Sequence, residues 1–396
     1  MSIVEEARAI QGEIVEHRRW MHQHPELGFD LPETQAYVRG VLEEMGYKVT
    51  EPCKGGLLTQ IGNPDEGACI LLRADYDALP VKEETGLEFA STNGNMHACG
   101  HDTHAAMLLG AAKLLKAHES EIHGCVKLLF QPDEEGAPTA DVTGGEAVLA
   151  GGVLESPKVD AVTALHVMTP DNPAGSFTTR CGTIFSSIDD IEINIQGKGC
   201  HGSMPHQGID PINIACHIYQ GVQNYIAREL DPTEVCVATF GVIEAGRGAN
   251  VVPDTARMLG TLRTQSATVR KHFQERVTAM AQGIAEAFGG SCTVEFLRGV
   301  PNTYNDPELT EELIDNVREL FGDDPTIMEK PFPGTDDLAV LSEKVPTAYF
   351  ILGATDEDHT EFGMHHPGVV FNEDVFYRGS AFLAGNALSY LEKRAK

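Results

Sequence analysis

The stretch Asn95-Met96-His97-Ala98-Cys99-Gly100-His101-Asp102-Thr103-His104 concentrates cysteine and histidine, the side chains that bind borderline and soft metals. Cys99 and His101 stand two apart, so in an extended loop their side chains can converge on one point. Taken alone, such a pair also describes a buried thiol beside a hydrogen-bonded histidine. Three further stretches answer it. Gln131-Pro132-Asp133-Glu134-Glu135-Gly136 puts two adjacent carboxylates in a turn, Ala164-Leu165-His166 ends an apolar run, and Met364-His365-His366-Pro367 lies in a loop near the C-terminus. The candidate metal ligands are Cys99, His101, Glu135, His166 and His365.

A thiolate, imidazoles and a carboxylate suit zinc, and also manganese, cobalt or nickel. Five protein groups exceed what one tetrahedral catalytic ion uses, because a position must stay open for water. Two divalent ions about 3.5 Å apart, with one ligand bridging them, fit better. Adjacent residues in a turn point differently, so Glu135 can bind metal while Glu134 faces an activated water. Attack of such a water on a carbonyl needs a base that takes its proton and returns it to the leaving nitrogen; Glu134 is that candidate. Asp75 and Asp77 are candidates for orienting the ligands from behind, or for satisfying nearby backbone donors. His104 faces the same region. His22, His24, His118, His123, His217 and His272 read as surface or packing residues. Farther along, His201 sits in a small-residue loop, and Asn250 and Arg263 end or interrupt apolar strands; all three are candidate functional groups.

The elements that must carry these residues alternate. Helical spacing covers 3–22 and 32–45, with Ile3, Ala7, Ile10, Ile14 and Met21 as core positions. Strands are expected at 56–61, 69–74, 125–130, 160–165 and 347–352, and helices at 102–117, 145–150, 307–321 and 373–393. Cys69 to Ala74 reads as a continuous apolar run, the mark of a strand buried on both faces. Alternating strands and helices mean a mostly parallel sheet, whose sites form beyond the strands' carboxyl ends. Asp75, Glu134, Glu135 and His166 fall at such ends. Near 185 the period changes to two, at Ile191, Ile193 and Ile195. The order from there to 298 is βαββαβ, the ferredoxin-like arrangement. The expected fold class is thus α/β: a catalytic domain in two parts, 1–184 and 299–396, with a lid domain inserted at 185–298. Hinged near 185 and 298, the lid could close over the metals and exclude water.

The chain has 396 residues, 42% hydrophobic and 22% charged, with nine cysteines and no Cys-x-x-Cys pair. These values describe a soluble globular protein with reduced thiols. No apolar run is long enough to span a bilayer, and Met1-Ser2-Ile3-Val4-Glu5-Glu6 lacks the basic start of a signal peptide, so the expected compartment is the cytoplasm. A formal net charge of −30 makes nucleic acid and anionic membrane poor partners.

Taken in order, Cys99-Gly-His101-Asp-x-His104, Gln131-Pro-x-Glu134-Glu135, Ala164-Leu-His166, His201-Gly-Ser-Met-Pro and His365-His-Pro resemble the metal-dependent aminoacylase and carboxypeptidase family. The resemblance is strongest to the branch of hippurate hydrolases, N-acyl-L-amino-acid amidohydrolases and auxin-conjugate hydrolases. It runs from His22 to the last helix. It implies a two-metal catalytic domain, Glu134 as general base, His365 rather than His366 as the last ligand, and a lid that mediates homodimerisation. It also implies that His201 reaches the partner subunit's active site and polarises the scissile carbonyl. Asn250 and Arg263 would contact substrate, the arginine through a carboxylate. Where this family has Gly-x-Glu-Asp-Phe, the chain has Gly334-Thr335-Asp336-Asp337-Leu338, which alters the substrate contacts of that loop. The implied activity is hydrolysis of N-acyl amino acids, small-molecule substrates of N-acetyl or N-benzoyl type. The rivals are a dipeptidase or carboxypeptidase on the same scaffold, and a non-catalytic metal-binding protein.

Overall fold

The computed structural model describes residues 1–136 and 140–395. Its largest sheet has seven strands, in the order Leu57–Gly62, Cys125–Gln131, Cys69–Asp75, Ala161–Met168, Thr347–Gly353, Phe177–Thr179 and Thr326–Ile327. The four neighbouring strands from Cys125–Gln131 to Thr347–Gly353 pair in parallel. Every residue of these four is buried, as continuous apolar runs require. Helices His101–Ala117 and Phe376–Glu392 pack against each other and the sheet. The first buries fourteen of its seventeen residues, including its whole first turn, where the candidate site begins.

Two boundaries differ from the sequence expectation. The N-terminal helix is broken into Ile3–Ala9 and Gln11–Gln23, because Ile10 leaves helical geometry at φ −101°, ψ 8°. Ala7, Ile14 and Met21 are fully buried, whereas Ile3 and Ile10 only pack against the core from its margin. The strand expected at 160–165 runs on to Met168, so His166 lies within the strand, not past its end.

The chain divides into two compact units: Met1–Ile184 with Tyr304–Lys330 and Asp337–Lys396, and Phe185–Thr303 with Pro331–Asp336. The short segment 331–336 therefore belongs with the second unit. That unit holds a four-stranded antiparallel sheet ordered Ser291–Val300, Ser187–Gln196, Thr255–Thr264, Cys236–Ala245. In chain order this is 4-1-3-2, the ferredoxin-like topology. Ile191, Ile193 and Ile195 turn one face toward helices Pro211–Arg228 and Ala267–Ala287 and form the unit's own core. Asp210 caps the first of these helices, accepting from the backbone N–H of Ile212 and Asn213, with Pro211 at its first turn.

All nine cysteines are unpaired. Among the described residues no helix is long and apolar enough to cross a membrane.

Candidate functional site

Cys99 and His101 flank Gly100, whose φ of +90° lets the chain turn sharply into the helix. A Cβ there would lie 2.6 Å from a Val167 methyl, so the turn needs glycine on two grounds. Glu134 and Glu135 follow Asp133, a buried residue held at φ +53°. His166 comes from the parallel strand beside Cys69–Asp75. His365, at φ +67°, donates its backbone N–H to the Ala98 carbonyl, which ties the C-terminal loop to the Cys99 turn.

The five candidate ligands come together. Cys99, His101 and His166 offer ligand atoms within 4.8 Å of one another, and so do Cys99, Glu135 and His365. Cys99 Sγ lies 3.5 Å from His166 Nε2, and Glu135 Oε1 lies 3.4 Å from His365 Nε2 and 4.0 Å from His101 Nε2. Glu134 approaches His101 Nε2 at 3.8 Å. His366 stands apart: its ring stacks on Phe362 at 3.9 Å and its Nδ1 accepts from the Gly368 N–H.

Backbone partners settle which ring nitrogens carry protons. His101 Nδ1 lies 3.0 Å from the Asp77 carbonyl oxygen and 3.3 Å from its Oδ1, so it donates, and Nε2 keeps its lone pair. His166 Nδ1 donates to the Val167 carbonyl at 2.5 Å, again leaving Nε2 free toward Cys99. Asp77 also accepts the Glu135 N–H, so one carboxylate braces two candidate ligands. His104 is used on both sides: Nδ1 donates to Asp75 and Nε2 accepts from Val167 N–H.

Electrostatics follow the burial. Desolvation holds the Cys99 thiol well above its ordinary value and His166 well below. Burial pushes Glu135 up, but the neighbouring His365 and His101 outweigh it and the carboxyl lies below the usual range. Glu135 in turn raises His365. His101 Nε2 and Glu135 Oε1 are buried and find no hydrogen-bond partner among the described residues. Such orphaned atoms are costly. A cation between them removes that cost and stabilises the thiolate, so the donor set fits a metal.

Two groups escaped the sequence reading. Arg73, inside what reads as an apolar run, is a buried cation bonded to Asp75, Gln131 and Asp337. Its only signal is a lone arginine two residues before Asp75. His22, read as surface or packing, is buried between Asp102 Oδ2 at 2.7 Å and Glu83 Oε1 at 3.2 Å, with Arg18 also on Asp102.

His201, Asn250 and Arg263 lie in the second unit. A short ladder pairs Val251 with His201, and Gly202 N–H donates to the Asn250 carbonyl, so the first two are neighbours. Both are exposed. His201 Nδ1 accepts from Ser203 N–H, which leaves a proton on Nε2 free to donate outward. Arg263 is half-buried and donates from Nη1 to Thr335 Oγ1 at 2.8 Å.

The model of Peptidase family M20/M25/M40 matches residues 71–389. An N-acetyl-L-cysteine deacetylase of Bacillus subtilis is 35% identical over 97% of this chain and 89% of its own length. Thermostable carboxypeptidase 1 of Saccharolobus solfataricus is 36% identical over 98% of each. A crystal structure described as a dinuclear metal-binding peptidase of the M20 family, from Bacillus subtilis, superposes with a TM-score of 0.81 at 34% identity, covering 97% of this chain and 99% of that one. The chain belongs to Peptidase family M20/M25/M40 and is a metal-binding hydrolase of amide bonds.

Proposed function

We propose that this chain cleaves N-acyl amino acids, of N-acetyl or N-benzoyl type, into a carboxylic acid and a free amino acid. The observation that carries this reading is the division between two adjacent carboxylates. Glu135 groups with Cys99 and His365 as well as with His101, whereas Glu134 shares the His101 grouping but joins neither Cys99, His166 nor His365. We read Glu134, the carboxylate that does not group with the thiolate, as the one that handles the proton.

Cys99, His101, Glu135, His166 and His365 would hold two divalent cations, of zinc, manganese, cobalt or nickel. Cys99 and Glu135 each take part in two of the possible ligand groupings. When bound, such ions supply Lewis-acid polarisation of a carbonyl and a more acidic water. Glu134 takes a proton from that water as its oxygen bonds to the acyl carbon, then delivers it to the nitrogen as the C–N bond breaks. His201 donates from Nε2–H to the carbonyl oxygen as negative charge develops there. Arg263 receives the amino acid's carboxylate and Asn250 makes a further polar contact to substrate. We further propose a cytoplasmic homodimer formed through the unit 185–303, with His201 serving its partner's site.

A panel of N-acetyl-amino acids, N-benzoyl-amino acids and dipeptides, run with each metal, tests the proposal. Higher kcat/KM on the acylated substrates is the expected result. The likeness to a carboxypeptidase supports the alternative reading, and a preference for dipeptides would establish it.

A further inference from the structure

His101 and His166 are held by different means. Asp77 braces His101 directly, through carbonyl oxygen and carboxylate. Among the described residues no carboxylate hydrogen-bonds to His166; its Nδ1 donates to the carbonyl of Val167, its own neighbour in the strand. The ring is only as fixed as the backbone at Val167.

That backbone stands at a break in the sheet. Strand Ala161–Met168 pairs with Cys69–Asp75 only as far as Ala164 opposite Arg73. Beyond it, Val167 stays paired with Leu352 of Thr347–Gly353 but has no ladder partner on the Cys69–Asp75 side, and a buried donor facing that side needs another acceptor. His104 supplies one, accepting at Nε2 over 2.9 Å. A backbone N–H can only donate, so the His104 proton sits on Nδ1, which faces Asp75 Oδ1 at 2.5 Å. The other Asp75 oxygen accepts from Arg73 Nη1 at 2.6 Å. Arg73 is anchored in turn by Gln131 and Asp337, each 3.0 Å away. All these side chains are buried.

We infer that His104 is a positioning residue that stands in for the ladder partner Val167 lacks on its Cys69–Asp75 side and thereby aims His166 at the metal cluster, with Arg73 as the cation that holds the relay in place. The inference rests on the reading of His166 as a metal ligand. It separates two roles for His104: satisfying Asp75, or clamping Val167.

Amide variants split the roles. His104→Gln brings an oxygen near the Nε2 position, so it can accept from Val167 but gives up the bond to Asp75. His104→Asn brings an amide near the Nδ1 position, so it can serve Asp75 but leaves Val167 N–H unpaired. Zinc affinity of the full chain, measured by competition with a chromophoric chelator, is the readout. His104→Asn should bind zinc roughly 10- to 100-fold more weakly than the wild type, the usual cost of losing support behind a ligand, with His104→Gln closer to wild type. Equal affinities in the two variants, or the reverse order, would overturn the inference. Arg73→Met should lose zinc affinity in the same direction; if it does not fold, the His104 pair, which leaves the Arg73–Asp75 bond intact, still decides. Unchanged zinc stoichiometry in His166→Ala would instead refute the ligand reading itself.

Discussion

The two units carry their candidate residues in opposite ways. In the first, His101, His104 and His166 are 1%, 2% and 7% exposed, and each has a backbone or carboxylate partner that fixes its tautomer; of the five candidate ligands His365 alone is exposed. In the second, His201 and Asn250 are exposed, and Arg263 is half-buried beside Thr335. A cluster that binds cations gains from dry, fixed donors, because reorganisation then costs nothing when the ion arrives. Groups that meet a substrate must stay accessible to it. Substitutions of the candidate ligands in the first unit should therefore disturb metal and chemistry together, whereas Glu134 beside them should affect chemistry alone. Those in the second should alter turnover or KM while metal stays bound.

The largest effect is expected for Cys99→Ala. Cys99 takes part in two possible ligand groupings and would supply the thiolate, so its loss should remove bound metal and activity together. Wild-type metal content and rate in that variant would break the comparison at its root. Glu134→Gln comes next. It keeps size and hydrogen bonding but cannot take a proton, so metal should stay bound while kcat falls by at least ~10²-fold. If metal were lost from Glu134→Gln and retained in Glu135→Gln, the two roles would be reversed.

His201→Ala should lower kcat by roughly 10²-fold, the scale of one lost oxyanion donor, with metal content and fold unchanged. The dimer reading adds a sharper expectation. Mixed with Glu134→Gln, each subunit nearly inactive alone, random hybrids should recover about a quarter of wild-type activity, because one site per hybrid has both an intact base and an intact incoming histidine. No recovery despite demonstrated subunit exchange would confine His201 to its own subunit, or to no site.

Much of the first unit was legible because buried parallel strands advertise themselves. Three apolar runs ending near Asp75, Glu134 and His166 imply both the sheet and the end at which chemistry collects. The network under the site was not legible. Arg73 looks like a tolerated charge in such a run, and its partner Asp337 lies 264 residues away. His22 reads as a surface histidine until folding brings Asp102 and Glu83 to its two nitrogens. Long-range polar pairs leave no periodicity to find. The same holds for Gly334-Thr335-Asp336-Asp337-Leu338. Its departure from the usual pattern was visible, but not its consequence: Asp337 is spent on Arg73, Gln131 and Gly145 N–H, and Thr335 meets Arg263.

That last contact gives the smallest expected effect and the finest test of the comparison. Thr335 Oγ1 accepts from Arg263 Nη1 at 2.8 Å, a neutral acceptor on a half-buried guanidinium. Such a bond contributes about 0.5–1.5 kcal/mol, so Thr335→Val should raise KM by roughly 2- to 10-fold with kcat little changed. Thr335→Ser keeps the hydroxyl and should restore the wild-type KM. Arg263→Ala should cost more, because a charged group that meets a carboxylate contributes about 1.5–3 kcal/mol. Both penalties should appear with N-acyl amino acids and vanish with the corresponding amino-acid amides, which offer no carboxylate. If Arg263→Ala discriminates acid from amide and Thr335→Val does not, the loop only packs beside the arginine. If neither discriminates, the carboxylate is read elsewhere, and the second unit contributes His201 without setting specificity.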